Sequence, residues 1–105
     1  MHYCYILKSL KQKGAIYIGS TSDLKKRLDE HNGGSGSAHT KKYMPWVLES
    51  YLAFSSHREA IRFEKYLKSN SGKAFLRKRL IGSDFKLALA EFNNGRAQNK
   101  ISETE

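Results

Sequence analysis

Tyr17-Ile18-Gly19-Ser20-Thr21, followed by Arg27 and His31 and much later by Glu64, decides how this chain is read. The short apolar run joins a strand to a helix. Behind it stand a phenol, a guanidinium, an imidazole and a carboxylate, the groups that cleavage of a phosphodiester needs. No other stretch of the 105 residues offers comparable chemistry.

The segment after Thr21 carries the signals of a helix. Ser22 suits the N-cap, and Asp23 in the first turn suits the positive end of the helix dipole. Leu24, Arg27, Leu28 and His31 then fall at i, i+3, i+4 and i+7, which is one helical face. Two leucines that seek a core thus share their face with a cation and an imidazole, groups rarely buried without a partner. An anionic neighbour is expected. Residues 57 to 69 read as a further helix, with Ala60, Phe63 and Leu67 as its apolar stripe and Glu64 at the stripe's edge. A carboxylate there must be paired, protonated or bound to a cation. On pattern alone two readings stay open, a structural Arg27–Glu64 ion pair and a functional site.

Upstream, residues 3 to 8 alternate, with Tyr3, Tyr5 and Leu7 on one face and Cys4 and Ile6 on the other. Lys11 to Gly14 form a polar turn, and residues 15 to 19 make a second strand paired with the first as a hairpin. Tyr5 and Tyr17 can then face the same side. Residues 33 to 44 open with Gly-Gly-Ser-Gly-Ser and read as a flexible loop on the rim of the site. The stretch from Trp46 to Phe54 is rich in strand formers and gives a third strand, with Trp46 as a core or lid residue. Ser71 and Gly72 break the second long helix from a third, residues 73 to about 82, with Phe75, Leu76, Leu80 and Ile81 inward. The expected fold is α/β (α+β): a small three-stranded antiparallel sheet flanked by helices, in the order β-β-α-β-α-α. Residues 1–83 form the domain. Residues 84–105 are an extension that begins with a short helix and ends polar and disordered.

Composition narrows the partner. Net charge is +9, from 19 basic and 10 acidic residues, which favours a polyanion. The charge is local. Residues 57 to 82 hold eight basic side chains against two acidic ones, and no acid occurs between Lys65 and Ile81. A solvated helix face shows mixed signs. Lys65, Lys68, Lys73, Arg77 and Lys78 are therefore candidates for tracking a phosphate backbone. Cys4 is the only cysteine, so no disulfide framework or zinc site can be built from it, and a reducing cytosol fits best. On its strand Cys4 packs as a small hydrophobe. Neither a signal peptide nor a membrane-spanning run is present, which gives a cytoplasmic location and no membrane partner. Tyrosines in a small sheet protein are ordinarily core residues with a wet tip, and Tyr3, Tyr43, Tyr51 and Tyr66 are assigned that way.

The chain resembles the GIY-YIG nuclease superfamily, in particular its small stand-alone bacterial members. The matching segments are Tyr3-Cys4-Tyr5-Ile6-Leu7, Tyr17-Ile18-Gly19-Ser20-Thr21, Asp23-Leu24 with Arg27-Leu28 and His31-Asn32, Thr40 with Pro45, and Ala60 with Phe63-Glu64 and Lys68. The stretch from His31-Asn32-Gly33-Gly34 to Pro45-Trp46 also resembles the superfamily's structure-specific nucleases that cut branched DNA. Two departures stand out. Tyr3-Cys4-Tyr5 replaces Gly-Ile-Tyr while keeping the tyrosine. No asparagine occupies Leu76-Arg77-Lys78-Arg79-Leu80, where several branches carry one.

The resemblance implies a metal-dependent endonuclease acting on DNA rather than RNA, in repair or recombination of damaged or branched DNA. It implies Tyr5, Tyr17, Arg27, His31 and Glu64 as the catalytic set. Glu64 would hold a single Mg²⁺ or Mn²⁺. Tyr17 would accept the water's proton, Arg27 would neutralise developing charge, and Tyr5 and His31 would orient or relay. The alternative from another class is a catalytically weak nucleic-acid-binding module or repair-complex adaptor of the same fold. A homodimer would allow double-strand cuts, and nothing in the sequence requires one.

Overall fold

A computed structural model describes residues 1–82. Its centre is an antiparallel sheet of three strands in the order β2-β1-β3: β1 His2–Ser9, β2 Ile16–Thr21 and β3 Trp46–Phe54. β1 lies between the other two, so β3 is an edge strand. Alternation along β1 does what the pattern predicts. Cys4 and Ile6 join Ile16, Ile18, Leu67, Leu76 and Ile81 in one core on one face of the sheet. Tyr5 and Leu7 join Ala15, Tyr17, Tyr43 and Trp46 in a second core on the other.

Each core is closed by its own helices. The second is covered by α1 (Leu24–Asn32), whose Leu24 and Leu28 pack against it, and by α2 (Ala38–Tyr43). The first is covered by α3 (His57–Leu67), which buries Ala60 and Leu67, and by α4 (Asn70–Phe75). From α4 the chain runs on into a π-helical turn, Leu76–Leu80, that buries Leu76. Among the described residues no helix is long and apolar enough to cross a membrane.

Several boundaries differ from the sequence reading. Asp23, rather than Ser22, is the N-cap of α1: it is extended (φ −144°, ψ 96°) and its carboxylate accepts from the Lys26 amide at 3.1 Å. Residues 33–44 are not a loop throughout. Ser37 caps α2 through the Thr40 amide, so a glycine-rich lead hid a one-turn helix. Gly72 does not break a helix; it lies buried inside α4, where any Cβ would collide with the Tyr66 carbonyl, and Ser69 is the cap. The sequence composition there signalled close approach of α4 to α3 rather than a break. Tyr51 and Tyr66 are not core residues, at 51% and 40% exposed, whereas Tyr43 and Trp46 are buried. The C-terminal extension expected from residue 84 onward lies outside the described residues.

One irregularity shapes the far edge of the sheet. β3 carries an extra residue opposite the Ile6–Leu7 step of β1. The extra residue, Glu49, pairs with Lys8 Nζ at 3.3 Å and accepts from the Gly82 amide at 3.0 Å, while Ser50 Oγ donates to the Leu80 carbonyl at 2.9 Å. The bulge thereby anchors the chain where it leaves the π-helical turn.

Candidate active site

Tyr5 and Tyr17 are on neighbouring strands and the same face of the sheet. Their ring centroids are 6.2 Å apart. Gly19 sits directly opposite Tyr5 in the β1–β2 pairing. A Cβ at Gly19 would stand 2.6 Å from the Tyr5 hydroxyl and 2.9 Å from Tyr17 Cε2. The glycine of the Tyr-Ile-Gly triplet is thus a missing side chain: its absence lets the Tyr5 phenol lie across β2 toward that strand's outer edge.

α1 lays two polar groups onto these rings. His31, fully buried, brings Nε2 within 3.0 Å of the Tyr5 hydroxyl, and its ring centroid lies 4.7 Å from that of Tyr17. Its Nδ1 is a buried atom without a hydrogen-bond partner among the described residues. A buried N–H left unpaired is rarer than an under-used acceptor. We therefore assign the proton to Nε2, which donates to Tyr5. Burial, reinforced by the Arg27 cation and opposed by Glu30, pushes the His31 imidazole down to about 4, so it is neutral at physiological pH.

Arg27 is the second group. Partial burial works against its charge, but hydrogen bonds to Glu30 and to Tyr5, together with the electrostatic pull of both phenols, hold it above the ordinary guanidinium value. Its Nη1 donates to Glu30 Oε1 at 3.0 Å, and its side chain is 31% exposed. The Tyr5 oxygen is therefore reached by both an imidazole and a guanidinium.

The anchoring of α1 explains the precision. Asn32 makes two hydrogen bonds to the Trp46 backbone, donating to its carbonyl at 2.9 Å and accepting from its amide at 2.6 Å. The Trp46 indole donates to the Thr40 carbonyl at 2.9 Å, tying in α2. The His31-Asn32 pair thus divides its work. His31 reaches the site and Asn32 clamps the helix end to β3, a positioning role the sequence reading did not assign.

Glu64 stands elsewhere. It lies on the inward side of α3, on the face of the sheet opposite the phenols, and its charge raises Cys4. Burial first, then the Glu64 carboxylate, opposed by Lys68, pushes that thiol up to about 12. Cys4 is therefore an inert, buried hydrophobe. Glu64 Oε2 accepts from Lys68 Nζ at 2.9 Å, and the Glu64 side chain is 20% exposed. The structural Arg27–Glu64 ion pair is not formed: each residue has taken a partner one helical turn away, Glu30 for Arg27 and Lys68 for Glu64. Cys4 pairs with Ser20, one rung beyond the Tyr5–Gly19 rung.

Of the candidate phosphate-tracking residues, Lys65, Arg77 and Lys78 are exposed and Lys73 is half-buried. Among the described residues none of these four forms an ion pair, whereas Lys68 is committed to Glu64.

The sequence matches the GIY-YIG catalytic domain over residues 1–79. The chain belongs to the GIY-YIG family. It is 39% identical over 72 residues to a UPF0213 protein of Bacillus licheniformis, covering 69% of this chain and 72% of that one. A UPF0213 protein of Streptococcus agalactiae is 38% identical over 74 residues, 70% of this chain and 82% of the relative. A solution structure of a UPF0213 protein from Bacillus halodurans is 33% identical, covering 82% of this chain and 92% of that one, with a TM-score of 0.47. A more distant relative is the structure-specific endonuclease subunit slx1 of Talaromyces marneffei, 38% identical over 66 residues, which are 58% of this chain and 17% of that protein. Family membership supports a nuclease.

Proposed function

We propose that this protein is a metal-dependent endonuclease that hydrolyses phosphodiester bonds in DNA, acting on damaged or branched DNA in repair or recombination. The observation that carries the reading is the convergence of His31 and Arg27 on the Tyr5 oxygen above Gly19. A phenol of reference pKa about 10 serves as a base near neutral pH only where cations and N–H donors favour its anion. Tyr5 has both, which makes it a candidate proton acceptor beside Tyr17, to which the sequence reading gave that role. Tyr17 packs against His31 and feels the same Arg27 charge. The half-exposed face of Arg27 is left to neutralise charge building on the phosphate oxygens, for which a planar guanidinium is suited.

β2 is an edge strand, so a phosphate laid along its outer edge at Gly19 to Thr21 is reachable from both faces. That is how Glu64 would serve the same phosphate as Tyr5. A single partly exposed carboxylate suits Mg²⁺ or Mn²⁺ once its Lys68 partner is displaced, because Mg²⁺ keeps several waters and takes other ligands from the substrate. Among the described residues no cluster of three His, Cys, Asp or Glu side chains offers another cage. Bound at Glu64, a single such ion would supply Lewis acidity toward the leaving oxygen. By family likeness the products are a 5′-phosphate and a 3′-hydroxyl. Lys65, Lys73, Arg77 and Lys78 would hold the DNA backbone on the α3–α4 side.

A second reading, a DNA-binding module or repair-complex adaptor with little turnover, is favoured by one observation: Tyr5 and Tyr17 are each only 2% exposed. Incubation of supercoiled plasmid with Mg²⁺, Mn²⁺ or EDTA separates the two. The nuclease reading expects metal-dependent nicking that slows by about 100-fold or more in Arg27→Ala. Binding without nicking under any metal would favour the second reading.

A further inference from the structure

A groove of about 340 Å³ lies between α1 and β3, on the side of Tyr5 away from β2. Its floor and walls are Tyr5, Leu7, Leu24, Leu28, Leu48 and Tyr51, with Lys25 at the rim. The volume is at the small end of ligand sites. Two of these side chains break the usual pattern of burial. Leu48 is 37% and Tyr51 51% exposed, so the sheet offers an aromatic face and an aliphatic floor to solvent in the middle of a strand. Tyr51 is opposite Tyr5 in the β1–β3 pairing, and Tyr3 holds its ring edge-on at a centroid distance of 5.8 Å. The ring is therefore braced rather than free. The Lys25 side chain is 88% exposed and only loosely paired, 4.0 Å from Asp29.

We propose that this groove receives one unstacked nucleobase of the cleaved strand, with Tyr51 as its stacking platform and Lys25 on the adjoining phosphate. The inference rests on the nuclease reading and adds a specificity determinant to it. Three observations favour a base over another occupant. The Tyr5 ring is the shared wall between groove and reaction cluster, so an occupant of the groove lies across Tyr5 from the phosphate proposed at the edge of β2. An apolar slot with the exposed Lys25 cation at its rim complements a flat apolar ring carried on an anion. Aromatic side chains displayed on a sheet surface are a recurrent way of holding unpaired bases, tolerant of sequence because every base has a π-face. A base paired inside a duplex cannot enter the slot. The groove therefore selects DNA with an unpaired nucleotide at the cut.

The test uses the full chain and two oligonucleotides of one sequence, single-stranded and fully duplex, carrying 2-aminopurine at each position in turn. Binding is measured in EDTA and cleavage separately in Mg²⁺. Stacking on an aromatic ring is worth about 1–3 kcal/mol per base, so Tyr51→Ala is expected to weaken single-strand binding about 5- to 150-fold. Duplex affinity should be unchanged, and Tyr51→Phe should behave as wild type. Fluorescence should be quenched at one position next to the cut and recover in Tyr51→Ala. Tyr51 is half exposed, so these variants should fold, and circular dichroism verifies it. Equal loss on both DNAs, or no loss on the single strand, overturns the proposal. So does a dimer in sedimentation that Tyr51→Ala dissociates while leaving DNA binding intact, since the groove would then belong to a second copy. The two readings fail separately. Tyr51-dependent quenching without cleavage sinks the nuclease and leaves the base slot, whereas Arg27-dependent cleavage indifferent to Tyr51→Ala does the reverse.

Discussion

The Tyr5 hydroxyl lies 3.0 Å from His31 Nε2, joining the central strand to the end of α1 across 26 residues of sequence. The bond is buried, the imidazole is neutral, and its other nitrogen has no partner among the described residues. It locks the position of the phenol on which the proposed chemistry turns.

The depressed His31 value carries a stability consequence. The unfolded histidine takes up a proton near pH 6.5, while the folded one resists until about 4. Between those values the unfolded state holds more protons, so stability falls as pH falls through that window and is fully present above it. The gap corresponds to about 3 kcal/mol at most. Urea unfolding at pH 7 and pH 5 should show about 2 kcal/mol of this loss, and His31→Gln should flatten it relative to wild type despite the other three histidines. An unchanged pH slope in the variant would mean that His31 titrates normally in the fold.

Tyr5→Phe keeps the buried ring and removes the oxygen. It leaves the His31 N–H unpaired at a cost of about 1–3 kcal/mol. If Tyr5 is the base, cleavage should fall by about 10²- to 10⁴-fold, more than in Tyr17→Phe. The reverse order, measured under single turnover, would return the role to Tyr17.

Gly19→Ala puts a methyl group against the Tyr5 hydroxyl and the Tyr17 ring. Overpacking of this kind costs about 1–3 kcal/mol. Because the hydroxyl is the nearest obstacle, the double variant Gly19→Ala/Tyr5→Phe should be less destabilised than the two single losses added together. Strict additivity in thermal unfolding would show that the phenol does not lie over Gly19.

Removing Lys68 should free Glu64, since the two are paired at 2.9 Å. In Lys68→Ala, half-maximal nicking is expected at a lower Mg²⁺ concentration than in wild type. A higher requirement would show that Lys68 supports rather than competes with the bound ion. By contrast, Lys73→Ala or Arg77→Ala should leave the Mg²⁺ requirement alone and flatten the salt dependence of DNA binding by about one unit of slope per lost phosphate contact.

Much of this was legible in the residues. Alternation over Tyr3 to Leu7 sorted the two cores correctly because strand periodicity is strict. The i, i+3, i+4, i+7 spacing correctly put Arg27 and His31 under the helix with Leu24 and Leu28. What failed was short-range competition. One of the two open readings paired Arg27 with Glu64, yet each had an oppositely charged side chain three or four residues along its own helix, where a pair needs no long-range closure. The glycine-rich lead to α2 masked a helix that Ser37 caps, and Gly72 was read as a breaker where α3 and α4 only needed room. Tyr51 could not be told from a core tyrosine, because its exposure depends on how far α1 reaches over β3.

The account stands or falls on whether groups on the two faces of the sheet serve one phosphate. Single-turnover nicking of plasmid DNA by Arg27→Ala, Glu64→Ala and the double variant tests this most directly. Residues acting as a unit are strongly non-additive, so each single variant should be nearly as slow as the double. Glu64→Ala nicking at the wild-type rate, in either Mg²⁺ or Mn²⁺, would contradict it.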